Sequence, residues 1–352
     1  MQKEFLVLNE ERNVTLTAYL EEVGGEFRTI SKRPAILVLP GGGYQMCSDR
    51  EADPVAFPYL KAGYQVFILR YSVQKNAVWP TPLEDYDMAM DLIKSKADEW
   101  NLYPDKIAVI GFSAGGHLAG AAATMAKNRP AAAILGYAVL NADVKGCNKS
   151  APSLIEEVDD LTCPCFLFAS RTDNVVPIAN SIDFMKALDE HDISFESHIY
   201  AYGPHGFSTC DSSVQDKDTY MCDRIPQWVA DSLGWLKDVM GDFCAEGMTE
   251  PACKRLVCGD REAFLSVDCT MGCLMANPKA QEILGGVLGS MMGGAAGGEE
   301  SENPMAQSMD PEMIQTMVKR MKLRDALSFG NAPKEVVDQL DAQLRQIPNE
   351  GN

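Results

Sequence analysis

The 352-residue chain has no apolar run long enough to cross a lipid bilayer, although 46% of its residues are hydrophobic. Residues 1–5 lack the apolar core of a signal peptide. Basic residues are also few: 31 Lys and Arg stand against 50 Asp and Glu, and the net charge is −19. A charge of this sign repels phosphate backbones and anionic lipid surfaces. We therefore expect no nucleic-acid partner, no membrane partner and a cytoplasmic location.

The chain contains several cysteines, but their number and spacing do not indicate a disulfide or zinc framework. Eleven cysteines are an odd number, so they cannot all pair within one chain. Five of them fall between residues 244 and 273 without a C-x-x-C pair, and no histidine follows His205. With no export signal, reduced thiols are the expectation. A zinc site in this segment stays open as an alternative, whereas the main prediction is an enzyme that needs no metal and no organic cofactor.

Apolar runs alternate with amphipathic segments from residue 34 to about residue 240. Continuous apolar runs are typical of strands buried on both faces. They occur at residues 35–39, 65–69, 107–110, 132–140, 165–169 and 195–200. Between them, apolar residues at spacings of three and four predict helices. Before them, residues 5–30 alternate apolar and polar positions, which predicts antiparallel edge strands. The order predicts an α/β fold with a mostly parallel sheet covered on both sides.

The sequence Gly-Phe-Ser-Ala-Gly at residues 111–115 joins a predicted strand to a predicted helix rich in small residues. G-x-S-x-G in this context is the pattern of a nucleophile elbow, in which a strained turn exposes the serine hydroxyl. The first helical turn also leaves backbone N–H groups without partners beside that hydroxyl. Ser113 is therefore the predicted nucleophile.

Three further loops follow predicted strands, where functional residues of parallel sheets collect. Residues 40–44 read Pro-Gly-Gly-Gly-Tyr and can bring backbone N–H groups close to a ligand. Asp173 and His205 follow two later strands, so the chain order is Ser, Asp, His, as in the triads of strand–turn–helix hydrolases. Asp143 also follows a strand end and is the alternative acid.

With these residues, the chain from about residue 14 to residue 240 resembles the α/β-hydrolase family, and within it the small-acyl carboxylesterases that include acetyl-xylan and feruloyl esterases. Pro-Gly-Gly-Gly-Tyr stands where relatives carry His-Gly-Gly-Gly. The resemblance implies that the N–H groups of Gly42, Gly43 and Ala114 form the oxyanion hole.

Only about twenty residues separate Leu140 from Cys163, a connection too short for a large lid. An open site favours short acyl esters, acetyl above all, on sugars or xylo-oligosaccharides, with Tyr44 and Trp79 as candidate sugar-binding residues. The partner is therefore an acyl ester or acetylated oligosaccharide. Two alternatives remain: a serine aminopeptidase or oligopeptidase, and a scaffold whose C-terminal tail is an interaction module.

Composition changes after residue 240. We expect a hydrolase domain at 1–240, a cysteine-containing connection at 241–284, a glycine-rich linker at 285–309 and a helical hairpin at 310–352. The hairpin is too small to bury much core alone. Its methionines, spaced four apart from Met313 to Met321, suit a packing surface. The sequence therefore allows a homo-oligomer formed through these helices.

Overall fold

The computed structural model describes residues 1–214, 220–243, 247–293 and 311–349. The chain divides into two compact units, Met1–Arg255 and Leu256–Asn352. The first unit thus extends beyond the predicted end at residue 240. Within it, the N–H of Ser194 donates to the carbonyl of Arg255 (2.8 Å), and the N–H of Cys253 donates to the carbonyl of Asp238 (2.9 Å). These bonds attach residues 253–255 to the body of the first unit.

In the described part of the chain, eight strands form one sheet of order β1-β2-β4-β3-β5-β6-β7-β8. They are β1 (Gln2–Asn9), β2 (Val14–Leu20), β3 (Arg33–Leu39), β4 (Gln65–Arg70), β5 (Leu102–Phe112), β6 (Ala132–Gly136), β7 (Cys165–Ser170) and β8 (Phe195–Tyr200). Strand β2 pairs antiparallel with β1 and β4, and the remaining pairs are parallel. The predicted α/β fold with antiparallel edge strands is confirmed.

Helices connect the strands of the first unit. They are α1 (Asp53–Lys61), α2 (Thr81–Ser95), α3 (Ala114–Met125), α4 (Ala179–Glu190) and α5 (Gln227–Met240), with 3-10 turns at Asp49–Glu51, Gln74–Asn76 and Ala142–Gly146. Strand residues Ile36 and Val38 share one buried cluster with side chains of α1 and α5, Trp228 among them. The alternate residues Leu37 and Leu39 are equally buried on the other face. Both faces of the sheet are therefore covered, as continuous apolar strands require.

The second unit contains α6 (Met271–Ala276), α7 (Pro278–Gly293), α8 (Pro311–Arg320), α9 (Leu323–Phe329) and α10 (Lys334–Leu344). Helix α7 covers the start of the predicted linker, and residues 294–309 of that linker lie outside the described residues. The predicted hairpin is instead three helices, because the chain turns at Met321 and Lys322 before α9. The buried cluster of this unit includes Leu274 of α6, Leu327 of α9 and Leu344 of α10. No helix in the described ranges has the length and apolarity that a membrane span needs.

Candidate active site

Ser113 occupies the single residue between β5, which ends at Phe112, and α3, which begins at Ala114. Its backbone has φ 52° and ψ −116°, a conformation that non-glycine residues rarely adopt. The helix start lies close to β3: a Cβ at Gly115 would stand 2.2 Å from the carbonyl oxygen of Leu39, so this position requires glycine. The structure therefore has the strand–serine–helix turn that the G-x-S-x-G pattern predicts, with Ser113 half-buried.

Ser113, His205 and Asp173 meet at the carboxyl ends of their strands. The Oγ of Ser113 lies 2.9 Å from Nε2 of His205, and Nδ1 of His205 lies 2.7 Å from Oδ2 of Asp173. A carboxylate only accepts hydrogen bonds, so Nδ1 carries the proton and Nε2 can accept from the serine hydroxyl. The Asp173 side chain is 1% exposed and that of His205 is 17% exposed. This arrangement has the geometry of a nucleophile, a base and a group that orients the base.

The structure brings Asp173, and not Asp143, to the imidazole. The second carboxylate oxygen of Asp173 accepts the N–H groups of Val175 and Val176, both at 2.9 Å. These bonds hold the carboxylate in a fixed orientation toward His205. Asp143 is exposed and accepts instead from the side-chain amide of Asn180 (2.8 Å).

A second link between the acid and base loops was not evident from the sequence. The hydroxyl of Thr172 accepts from the N–H of Gly203 (3.0 Å) and donates to its carbonyl (3.1 Å). Ser170 donates to the same carbonyl (2.9 Å). These short side chains hold the loop of Asp173 against the loop of His205. Hydroxyl residues after a strand are common in loops, so only the folded structure distinguishes this use.

The glycine loop after β3 lies beside the serine. Gly42 adopts φ 132°, and a Cβ there would stand 2.3 Å from the carbonyl oxygen of Met46, so the position requires glycine. Gly42 and Gly43 line the cavity that contains Ser113. Gly41 differs, because its N–H donates to the carboxylate of Glu51 (2.7 Å). Ala114, the first residue of α3, follows the serine directly.

The cavity at Ser113 has a volume of about 550 Å³. Its wall combines the glycine loop, apolar side chains and the 3-10 turn after β6. Besides Ser113, His205, Gly42 and Gly43, it is lined by Met46, Ser48, Arg50, Glu51, Val139, Asp143, Gly146, Cys147, Val175, Val176 and Gly206. The short connection from Leu140 to Cys163 thus supplies part of the wall of the site. A pocket of this size and mixed polarity suits a small ester.

The two predicted sugar-binding aromatics do not line this cavity. Tyr44 is fully buried, and its hydroxyl donates to Nδ1 of His117 (2.7 Å). Trp79 is half-buried and packs edge-on against the same imidazole, at 5.3 Å between ring centroids. Nε2 of His117 donates to the carbonyl of Pro152 (2.9 Å), so Nδ1 is the acceptor for the Tyr44 hydroxyl. Both aromatic rings therefore pack around this imidazole. Burial lowers the pKa of His117 to about 4, so this imidazole is a neutral structural group.

In the cysteine-containing segment, three side chains that could act as metal ligands lie close together within the second unit. Side-chain atoms of Asp260, Cys269 and Cys273 lie within 4.8 Å of one another. However, the two carboxylate oxygens of Asp260 accept from the N–H (2.6 Å) and the hydroxyl (2.7 Å) of Thr270. Thr270 in turn caps α6 by accepting the N–H of Cys273 (3.2 Å). These contacts account for the carboxylate as part of a helix cap.

A serine on a strand–helix elbow, with an Asp–His pair on neighbouring strand ends of a mostly parallel sheet covered on both faces, matches the arrangement of a serine hydrolase site on an α/β sheet. Residues 27–151 match the family model described as BD-FAE. A solved α/β-hydrolase enzyme from a Medee basin deep-sea metagenome library is 42% identical to this chain, with a TM-score of 0.63. The match covers 68% of this chain and 98% of that enzyme. The chain belongs to the α/β-hydrolase family.

Two curated relatives carry ester- or xylan-related names. The chain is 33% identical over 208 residues to endo-1,4-beta-xylanase B of Butyrivibrio fibrisolvens, which is 50% of this chain and 33% of that protein. It is 29% identical over 196 residues to an acetylxylan esterase of Xylanibacter ruminicola, which is 49% of this chain and 41% of that protein. The chain thus spans less than half the length of both curated relatives. The name of the second relative agrees with the expectation of a carboxylic ester hydrolase.

Proposed function

We propose that this protein is a serine carboxylesterase that removes short acyl groups, acetyl above all, from sugars or small oligosaccharides. The observation that carries the proposal is the hydrogen-bonded series Ser113–His205–Asp173 at the wall of a cavity. The acetylxylan esterase among its relatives supports the choice of acetyl as the acyl group and of a sugar as the alcohol part of the ester.

In the first half of the reaction, the Oγ of Ser113 attacks the ester carbonyl carbon while Nε2 of His205 takes the hydroxyl proton. Asp173 holds the imidazole in the required tautomer and stabilises the imidazolium that forms. His205 then donates the proton to the departing alcohol oxygen as the carbon–oxygen bond breaks. The acyl group remains on Ser113 as an ester.

In the second half, a water molecule attacks the acyl-enzyme and gives its proton to His205, which returns it to Ser113 as the carboxylic acid leaves. In both halves the carbonyl oxygen becomes an oxyanion. We assign its stabilisation to the N–H groups of Gly42 and Gly43, which line the cavity, and of Ala114, which follows the serine in the chain. Each such donor is worth roughly 10²- to 10³-fold in rate in enzymes of this kind.

The preference for short acyl groups rests on the cavity. Its apolar contribution comes from side chains of modest size, such as Met46, Val139 and Val176. Long acyl chains need an enclosed apolar channel, because each methylene contributes about 0.8 kcal/mol only when it leaves water. A 550 Å³ cavity shared between the acyl and alcohol parts leaves little room for such a channel.

The test is a chain-length series of p-nitrophenyl esters from acetate to octanoate, with an aminoacyl anilide alongside. We expect kcat/KM to fall with increasing chain length and the anilide to be a poor substrate. Ser113→Ala is the control for non-enzymatic hydrolysis. A maximum at octanoate would refute the short-chain preference, and faster cleavage of the anilide would favour the peptidase alternative. An inactive wild-type protein would favour the scaffold alternative.

A further inference from the structure

We propose that Glu51 is a positioning residue for ester hydrolysis, because its one carboxylate joins the glycine loop to the loop of His205. This inference rests on the proposed function and adds to it a residue outside the Ser–His–Asp series. Glu51 ends the 3-10 turn Asp49–Glu51, in which Asp49 and Arg50 are exposed but Glu51 is 5% exposed. A buried carboxylate is costly unless hydrogen bonds satisfy it, so its partners indicate what it does.

The first partner is the glycine loop. Oε2 of Glu51 accepts the N–H of Gly41 at 2.7 Å. The carboxylate also lies close to the nucleophile: a Cβ built on Gly41 would stand 2.7 Å from Oε2 and 3.1 Å from the Cβ of Ser113. Fixing the Gly41 peptide sets the direction of the chain that continues into Gly42 and Gly43. The orientation of the two proposed oxyanion donors therefore depends on this bond.

The second partner leads to the base. Oε1 of Glu51 accepts from the hydroxyl of Tyr137 at 2.6 Å, and that hydroxyl accepts the N–H of Ser208 at 3.0 Å. The Tyr137 ring packs edge-on against the His205 ring, at 5.1 Å between centroids. The hydroxyl of Ser208 also donates to the carbonyl of Arg50 (2.5 Å). The turn that carries Glu51 is thus bonded to the loop that carries His205.

The two bonds require a group that accepts at both of its oxygens. The Gly41 N–H can only donate, and the Tyr137 hydroxyl, already accepting from Ser208, has its proton left to donate. A carboxylate meets both demands, whereas a glutamine side chain turns a donor toward one of them. Burial raises the pKa of Glu51, while the bonds from Tyr137 and Gly41 and the nearby His205 act in the opposite direction.

The test compares Glu51→Gln with Asp85→Asn in the full-length protein. Asp85 is the matched control: it is fully buried, accepts from a backbone N–H (Ser72, 2.8 Å) and an arginine (Arg12, 2.6 Å), and lies outside the lining of the Ser113 cavity. We expect Glu51→Gln to lower kcat on p-nitrophenyl acetate roughly 10- to 100-fold, as small misplacements in active sites do, with KM within about threefold. Asp85→Asn should leave kcat within about twofold.

Binding of a boronic acid separates positioning from general destabilisation. This inhibitor becomes tetrahedral on Ser113 and needs the oxyanion donors, so its Ki should rise with Glu51→Gln by a factor similar to the fall in kcat/KM. A folded Glu51→Gln variant with kcat and Ki within threefold of the wild type would overturn the proposal. So would equal losses in Glu51→Gln and Asp85→Asn that follow the loss of thermal stability.

Tyr137→Phe decides the question if Glu51→Gln does not fold. It removes the hydroxyl that joins Glu51 to Ser208, but it keeps the Glu51 carboxylate and its bond from the Gly41 N–H. We expect a kcat loss of at least fivefold with KM unchanged, and an unchanged kcat would overturn the proposal. If the wild type hydrolyses none of the esters, the proposed function fails separately. Glu51 is then tested by the rate at which a fluorophosphonate labels Ser113, which we expect Glu51→Gln to lower at least tenfold; an unchanged rate would overturn the proposal.

Discussion

The two units of the chain use their polar side chains for different purposes. In Met1–Arg255, the side chains of His205 and Glu51 line one cavity at the ends of parallel strands, and Asp173 bonds to His205 behind it. In Leu256–Asn352, carboxylates serve the backbone and arginines: Asp260 accepts from Thr270, and Asp268 pairs with Arg324. The same residue type thus supports a reaction site in one unit and helix ends in the other.

The difference follows from architecture. Parallel strands all have their carboxyl ends on the same side of the sheet. The loops that follow them therefore bring together residues that are distant in sequence. Short helices packed on one another bring their ends to several places, and the carboxylates of Asp260 and Asp268 there bond to separate partners, Thr270 and Arg324. Variants can test whether activity depends only on the first unit.

The largest effect is expected for Ser113→Ala, which removes the nucleophile. We expect kcat on p-nitrophenyl acetate to fall by at least about 10⁴-fold, with no loss of folding because the side chain only shrinks. Labelling with a fluorophosphonate measures the same residue directly. Substantial labelling of the variant would show that the nucleophile lies elsewhere.

Asp173→Asn should come next, since the amide would favour the wrong imidazole tautomer. We expect kcat to fall by roughly 10³- to 10⁴-fold with KM little changed. Asp143→Asn is the matched control, because Asp143 lines the same cavity but bonds Asn180. We expect that control to retain most of its activity. The opposite ranking would mean that Asp143 takes over the role in the working enzyme.

A smaller effect concerns stability and pH. His117 is neutral when folded, with a pKa lowered to about 4, so below its ordinary pKa of 6.5 the unfolded chain binds a proton that the folded chain does not. The free energy of unfolding should therefore fall as pH drops from 6.5 to 4, by about 3 kcal/mol from this residue. Urea titrations at several pH values measure it. In His117→Gln the slope should be reduced, and coincident slopes would contradict the assignment.

The smallest effect is expected from deleting the second unit. A chain that ends at Arg255 contains every proposed catalytic residue, so kcat and KM on p-nitrophenyl acetate should stay within about threefold. A chain that ends at residue 240 loses the backbone bonds of Cys253 with Asp238 and of Arg255 with Ser194, so it should be less stable. If folded protein ending at Arg255 were inert, the contrast between the units would be wrong.

Much of the first unit could be predicted from local patterns. Continuous apolar runs identify buried strands, and G-x-S-x-G between a strand and a helix identifies Ser113, because both signals arise from neighbouring residues. The boundary after Arg255 could not be predicted, because it depends on backbone bonds such as that between Ser194 and Arg255. The sequence pattern predicts two helices after residue 310 where the structure has three, because the break at residues 321–322 has no glycine or proline to mark it.

The residue sequence by itself determined the fold class, the order of Ser113, Asp173 and His205, and the glycine loop, because each depends on residue type and spacing along the chain. Tertiary structure decided which of Asp173 and Asp143 contacts the imidazole. It also placed Tyr44 beside His117 rather than in the cavity, and it buried Glu51 among exposed charged neighbours. These outcomes depend on which side chains meet across different strands, and one-dimensional spacing does not determine such contacts.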